Sequence, residues 1–324
     1  MLAMRALSIL LLAAFLSVAA DLAVVEKKGA ALSFYSPTGQ HLGSVKTAIH
    51  PHEMVFSPDG KFLYVSENGL LWMTDPGSGG NSIAIIDVAK RTLAGRIDLG
   101  NNRRPHGMDV QPKTGHLVVT VENPSGLLLI DPKTRKVVKR YDTKGKQPHM
   151  VILDKSGETA WVSNSGSGTL AALNLATAQV HLLTLGENTQ GGVFTKDGKT
   201  LYLAVMGANE IVEIDVAQRK VTGRIPTSKG PARLALSLDE KTLIYNVQLE
   251  PGIAWADIAS KKQLLRLDLP GRPLSLTLSR DGRTAYLGLQ EEDKIALVDV
   301  ASRRILKFLT TTKGAGPDPV LELP

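Results

Sequence analysis

The 324-residue chain contains no cysteine. That absence excludes disulfides, covalent haem c attachment, iron–sulfur ligation, thiolate zinc sites and lipid modification of an N-terminal cysteine. Aromatic residues are scarce, at 5% of the chain. Lys and Arg number 38 against 31 Asp and Glu, a net charge of +7, but they are scattered through turns such as Lys133–Lys136, Arg219-Lys220 and Arg303-Arg304. No basic stripe interleaved with aromatics occurs, so nucleic acid is not an expected partner. One long apolar run is present, Ala6–Leu16, preceded by the charge of Arg5 and followed by Ser17-Val18-Ala19-Ala20. It is short for a span of ~20 residues. It reads as a signal peptide over residues 1–20, cleaved after Ala19 or Ala20. The expected mature product is a single domain over 21–324, periplasmic or secreted, monomeric, with no transmembrane segment.

The chain has a strong internal period. Turns recur at Ser57-Pro58-Asp59-Gly60, Lys113-Thr114-Gly115, Asp154–Gly157, Lys196-Asp197-Gly198, Leu238-Asp239-Glu240 and Arg280-Asp281-Gly282, their ends 55, 42, 41, 42 and 42 residues apart. Asp-Gly suits a tight hairpin because Gly accepts positive φ and Asp caps its own turn. Each turn precedes a β-rich run, such as Phe62–Val65 or Leu201-Tyr202-Leu203. A third run then ends in Asp or Asn, as at Ile86-Asp87-Val88 or Leu173-Asn174-Leu175, and a fourth follows, as at Lys220–Ile225. Four short strands per repeat of about 42 residues predict an all-β propeller of four-stranded antiparallel blades.

Six full repeats begin near His52, Gly107, Met150, Gly191, Ala232 and Leu274. Leu22–Glu26, Ala31–Tyr35 and His41–Val45 supply three further strands that lack an inner one, and Pro319–Leu323 supplies a lone inner strand. Joined, they make a seventh blade that closes the ring and removes its free edges. The segments Pro51–Val65 and Ser82–Val88 resemble the P-x-G-x-x-x-S-P-D-G-K-x-x-Y-V … V-x-V-I-D pattern of YVTN-repeat propellers, a group that includes YncE-like and lactonase-like seven-bladed proteins. The resemblance runs through nearly the whole mature chain and implies the fold rather than an activity.

The repeats differ at two places. After the Pro that opens each inner strand stand His52, His106, His149, Gln190, Ala232, Leu274 and Asp318. At the close of the second strand stand Glu67, Glu122, Asn164, Val205, Val247 and Leu289, with Glu26 equivalent in blade seven. Both positions belong to one end of the blade, so blades seven, one, two and three are expected to present a polar arc to the channel mouth. Blades five and six are expected to present Ala, Leu and Val. The 55-residue interval reflects an insertion, Gly69–Asn81, carrying Leu70, Leu71, Trp72 and Met73 before glycines. It is either a lid over the site or a surface loop packed on its own blade.

His52, His106 and His149 are candidate ligands for one divalent metal ion. Without a metal, one of them near a carboxylate is a candidate general base, and each can also simply bond backbone at the rim. His50, His41, His116 and His181 are expected to point elsewhere. Gluconolactonase relatives and the streptogramin lyase place metals or His and Glu groups at a propeller's funnel, an arrangement similar in kind. Two readings follow. One is a binding or scaffold propeller with a polar site for a small molecule or a periplasmic or cell-surface protein. The other is a metal- or His-dependent hydrolase or lyase acting on a small ester, lactone or sugar acid.

Overall fold

The computed structural model describes residues 20–324, so the expected signal peptide lies almost wholly outside the described residues. Seven four-stranded antiparallel sheets form the blades of a propeller. Blade one runs Pro51–Phe56, Phe62–Glu67, Ser82–Asp87 and Thr92–Asp98, from the channel outward. Blade seven is assembled from both ends of the chain: Pro317–Glu322 pairs with Leu22–Glu26, followed by Ala31–Tyr35 and His41–Lys46. Its register places Leu22 opposite Glu322 and Val24 opposite Val320.

The sequence pattern explains the layering. Second and third strands are apolar nearly throughout because both their faces are covered by neighbouring blades. Phe62–Glu67 and Ser82–Asp87 are buried in this way, whereas outer strands such as Thr92–Asp98 are mostly exposed. Seven apolar clusters result, one between each pair of adjacent blades. Phe34 and Val25 of blade seven, for example, meet Leu63 and Met54 of blade one. Leu22 and Val24 meet Ile295 and Leu297 of blade six on the other side. The hairpin turns close locally, with Ser57 Oγ donating to Asp59 Oδ1 at 2.7 Å and Gly60 taking φ of 70°.

The irregularity that matters most repeats in six of the seven blades. Pro51 pairs with Glu67 but Met54 with Val65, so His52 and Glu53 form a bulge that holds one residue too many. The same slip occurs at His106-Gly107, His149-Met150, Gln190-Gly191, Ala232-Arg233 and Asp318-Pro319. A bulge bends its strand and re-aims side chains. Here it turns them toward the central channel at one end of the ring.

Candidate functional site

The bulged residues line a cavity of about 530 Å³ at the channel mouth. His52, His106, His149, Gln190, Leu274 and Asp318 all reach it. The residue before each strand-opening proline or its equivalent adds a second tier. In six blades it is held at positive φ, including His50 (49°), Arg104 (55°), Gln147 (47°) and Asn188 (60°). Such backbone is unfavourable for side chains other than Gly and Asn. Gln147, Asn188 and, in blade six, Arg272 line the cavity from this tier.

Three imidazoles sit side by side, with ring centroids 4.6 Å apart for His52 and His106 and 4.2 Å for His106 and His149. Their hydrogen bonds assign two protons. His52 Nε2 lies 2.7 Å from the Leu70 carbonyl, which can only accept, so Nε2 carries the hydrogen. His52 Nδ1 is then an acceptor, and His106 Nε2 donates to it at 2.9 Å. The Nδ1 atoms of His106 and His149 are buried without a protein partner. Burial is the largest cause holding all three imidazoles well below the usual histidine range, helped by the positive charges of Lys27 and Arg233. All three are therefore neutral near pH 7.

Both ring nitrogens of His52 are thus engaged, which leaves it no lone pair for a metal in this arrangement. Among the described residues no group of three or more His, Asp or Glu side chains is placed to hold a metal ion.

The second-strand acids do not face the cavity, contrary to the expected arc. Glu67, paired with Pro51 across the strands, accepts from Arg96 Nε at 3.0 Å and from the Ala48 backbone N–H at 2.7 Å. Glu26 accepts from the Tyr35 hydroxyl at 2.6 Å. Glu122 pairs with Arg104 at 3.3 Å, and burial pushes its carboxyl up to about 7. Asn164 donates to the Thr143 carbonyl at 3.3 Å. Each clasps its own surroundings. These positions close the second strand opposite the residue that flanks the bulge, one strand out from the channel, and their side chains are taken up by neighbouring groups there.

Blades five and six, expected to present Ala, Leu and Val, also bring the cations Arg233 and Arg272 to the cavity, and blade seven, expected to be polar, adds Lys27 beside Asp318. Arg233, the second bulged residue of blade five, crosses the channel to Glu53 of blade one at 2.7 Å and lines the cavity. Lys27 is buried against Asp318 at 3.2 Å. Arg272 donates to Gln248 Oε1 at 2.9 Å, and no carboxylate among the described residues lies within salt-bridge distance of it. These cations stand one or two residues from the compared positions. The visible signal was the Arg before Pro273 and the Arg after Ala232.

The insertion of blade one lies over the cavity, contributing Leu71, Trp72, Met73 and Thr74. Arg104 holds it by donating to the carbonyls of Met73 (3.3 Å), Asp75 (3.0 Å) and Gly77 (2.7 Å). The Trp72 ring lies between two cations, with Lys27 Nζ at 5.5 Å and the Arg272 guanidinium at 5.2 Å from its centroid. His50 points away, donating to the Lys27 carbonyl at 3.1 Å.

No protein-family model and no curated protein matches the chain. Solved structures do match it. A protein of unknown function from Desulfotomaculum acetoxidans superimposes with a TM-score of 0.74 at 12% identity, covering 93% of this chain and 98% of that one. Hydrazine synthase from Kuenenia stuttgartiensis gives 0.67 at 16% identity, over 81% and 86%. The dihydro-heme d1 dehydrogenase NirN, in complex with DHE, gives 0.64 at 15% identity, over 95% and 76%. At such identities the likeness is one of fold: the chain is a seven-bladed β-propeller, an architecture these neighbours put to different uses.

Proposed function

We propose that this chain is an exported binding propeller that takes a small anionic molecule into its channel-mouth cavity. The observation that carries the reading is Arg272, a guanidinium at the cavity with no carboxylate within salt-bridge distance among the described residues, Glu291 and Asp318 acting on it only from further off. Lys27 and Arg233 are each answered by a carboxylate, Asp318 and Glu53, so Arg272 is the unmatched charge of the lining, and the three histidines are neutral donors and acceptors rather than competing charges. The volume suits a ligand in the usual ~300–1,000 Å³ range of small-molecule sites. Export rests on the N-terminal pattern of Arg5, Ala6–Leu16 and Ser17–Ala20.

The test is titration of the mature protein with acetate, succinate and citrate. Calorimetry would be paired with Trp emission. Trp72 is the partly exposed tryptophan, while Trp161 and Trp255 are 2% and 1% exposed, so a spectral change reports on the site. A charge-assisted hydrogen bond is worth about 1.5–3 kcal/mol, so Arg272→Gln should weaken binding about tenfold or more. Absence of binding to every anion would sink the proposal, as would binding that Arg272→Gln leaves unchanged.

A further inference from the structure

Three chemistries meet in the cavity, and a simple anion uses only one. The cations belong to blades five to seven. Across the funnel, blades three and four supply carboxamides, Gln147, Asn188 and Gln190. A carboxamide offers a donor and an acceptor on one plane, the same pairing a peptide group presents. Gln147 makes no side-chain hydrogen bond among the described residues and offers both halves of its carboxamide. Gln190 donates to Asn188 Oδ1 at 2.6 Å and accepts from Arg233 at 3.4 Å, and Asn188 also donates to Met206 Sδ at 3.2 Å, so each of those two keeps one amide hydrogen. The third chemistry is apolar. Trp72 and Met73 descend from the insertion, Met206 rises from blade four and Leu274 from blade six. Thioether side chains adapt to differently shaped apolar groups. The Glu53–Arg233 bridge spans the channel between blades one and five, and Arg233 lines the cavity.

We infer that the anion is the carboxyl-terminal end of a short peptide. Its carboxylate meets Arg272, its last peptide groups face the carboxamides, and an apolar side chain lies under Trp72 and Met73. A dicarboxylate leaves the amide and apolar walls unused. A sugar acid sets hydroxyls against the apolar wall. The inference rests on the anion-binding reading above and narrows it.

Calorimetry on the mature protein with four probes separates the two: N-acetyl-alanyl-leucine, its carboxy-terminal amide, succinate and glucuronate. The acid peptide should bind at least about tenfold tighter than each of the others. Gln147→Ala should weaken the peptide several-fold and leave succinate unaffected. Equal binding of succinate or glucuronate overturns the peptide assignment while leaving an anion site standing, as does a Gln147→Ala variant that binds the peptide normally. Equal binding of the uncharged peptide amide shows that no carboxylate is recognised and overturns both. Failure of every probe to bind overturns both.

Discussion

Arg233 reaches across the channel because its neighbours leave room. A Cβ on Gly191 would lie 3.1 Å from Arg233 Cδ, closer than ordinary packing allows, and both Glu53 and Arg233 have side chains only 14% exposed. Removing one partner of a largely buried pair strands the other charge, at a cost of about 3–5 kcal/mol for full burial. Discounted for the residual exposure, Glu53→Gln should lose about 2 kcal/mol in urea unfolding. An unchanged midpoint would mean that Arg233 swings to water. The histidines set a second property. Kept neutral by burial, they bind fewer protons in the folded chain than in the unfolded one below the ordinary histidine pKa of 6.5. Their contribution is therefore complete above about pH 6.5 and falls on acidification, by about 1.4 kcal/mol per pH unit for each imidazole that stays neutral. Glu122 acts oppositely: raised to about 7, it favours the folded chain most below its ordinary 4.5 and loses that effect as pH rises toward 7. The whole profile mixes both signs, so the informative quantity is a difference. His149→Gln should reduce the acid slope between pH 6 and 5 by about one proton; slopes parallel to those of the native protein would show that His149 is not held neutral.

The insertion of blade one is held at Leu70 by His52 and at Gly79 by Arg103, and through its middle by one side chain, Arg104. Arg104 holds three of its carbonyls, and Gly79, at φ of 70°, passes so close that a Cβ there would meet Arg104 Cγ at 2.5 Å. Arg104→Met should free the loop, shift Trp72 emission to the red and weaken anion binding several-fold, and because it leaves the buried Glu122 without its partner it should also cost about 2 kcal/mol of stability. Emission identical to that of the native protein would place the hold elsewhere. This element also marks where sequence reading succeeds and stops. The extra residues, with Trp72 and Met73 among them, stand out against a period of about 42, because a repeat makes any departure visible. The histidine positions are likewise legible, since each follows a strand-opening proline or its equivalent. The direction of Glu67 and Glu122 is not legible. It depends on a one-residue bulge in the partner strand, and period-2 alternation carries no record of such a slip. Arg233 and Arg272 escape notice for the same reason: the bulge admits the second residue to the channel, and the turn before it admits the preceding one.

At the scale of the ring, fold and site share the closing seam. Pro317–Glu322 is the inner strand of blade seven and carries Asp318 into the cavity, where it neutralises Lys27 from the opposite end of the chain. The same strand supplies Val320 to the cluster facing blade six, and Leu323 just beyond it to the cluster facing blade one. Ending the chain at Gly316 would uncover the edge of Leu22–Glu26, open two of seven interfaces and leave Lys27 charged and unpaired in a buried place. A ring cannot shed one strand and keep its other contacts, because each blade is held by both neighbours. The truncated protein should therefore lose its cooperative thermal transition and associate on size-exclusion chromatography through the exposed edge. Asp318→Asn separates charge from strand. It keeps every backbone pairing and strands only Lys27, so it should remain folded and monodisperse with a midpoint lowered by several degrees, about 3 kcal/mol at most. If the truncated chain instead melted cooperatively near the native temperature, blade seven would be an appendage on six self-sufficient blades. Lys27 and Asp318 would then be joined for the ligand's sake alone.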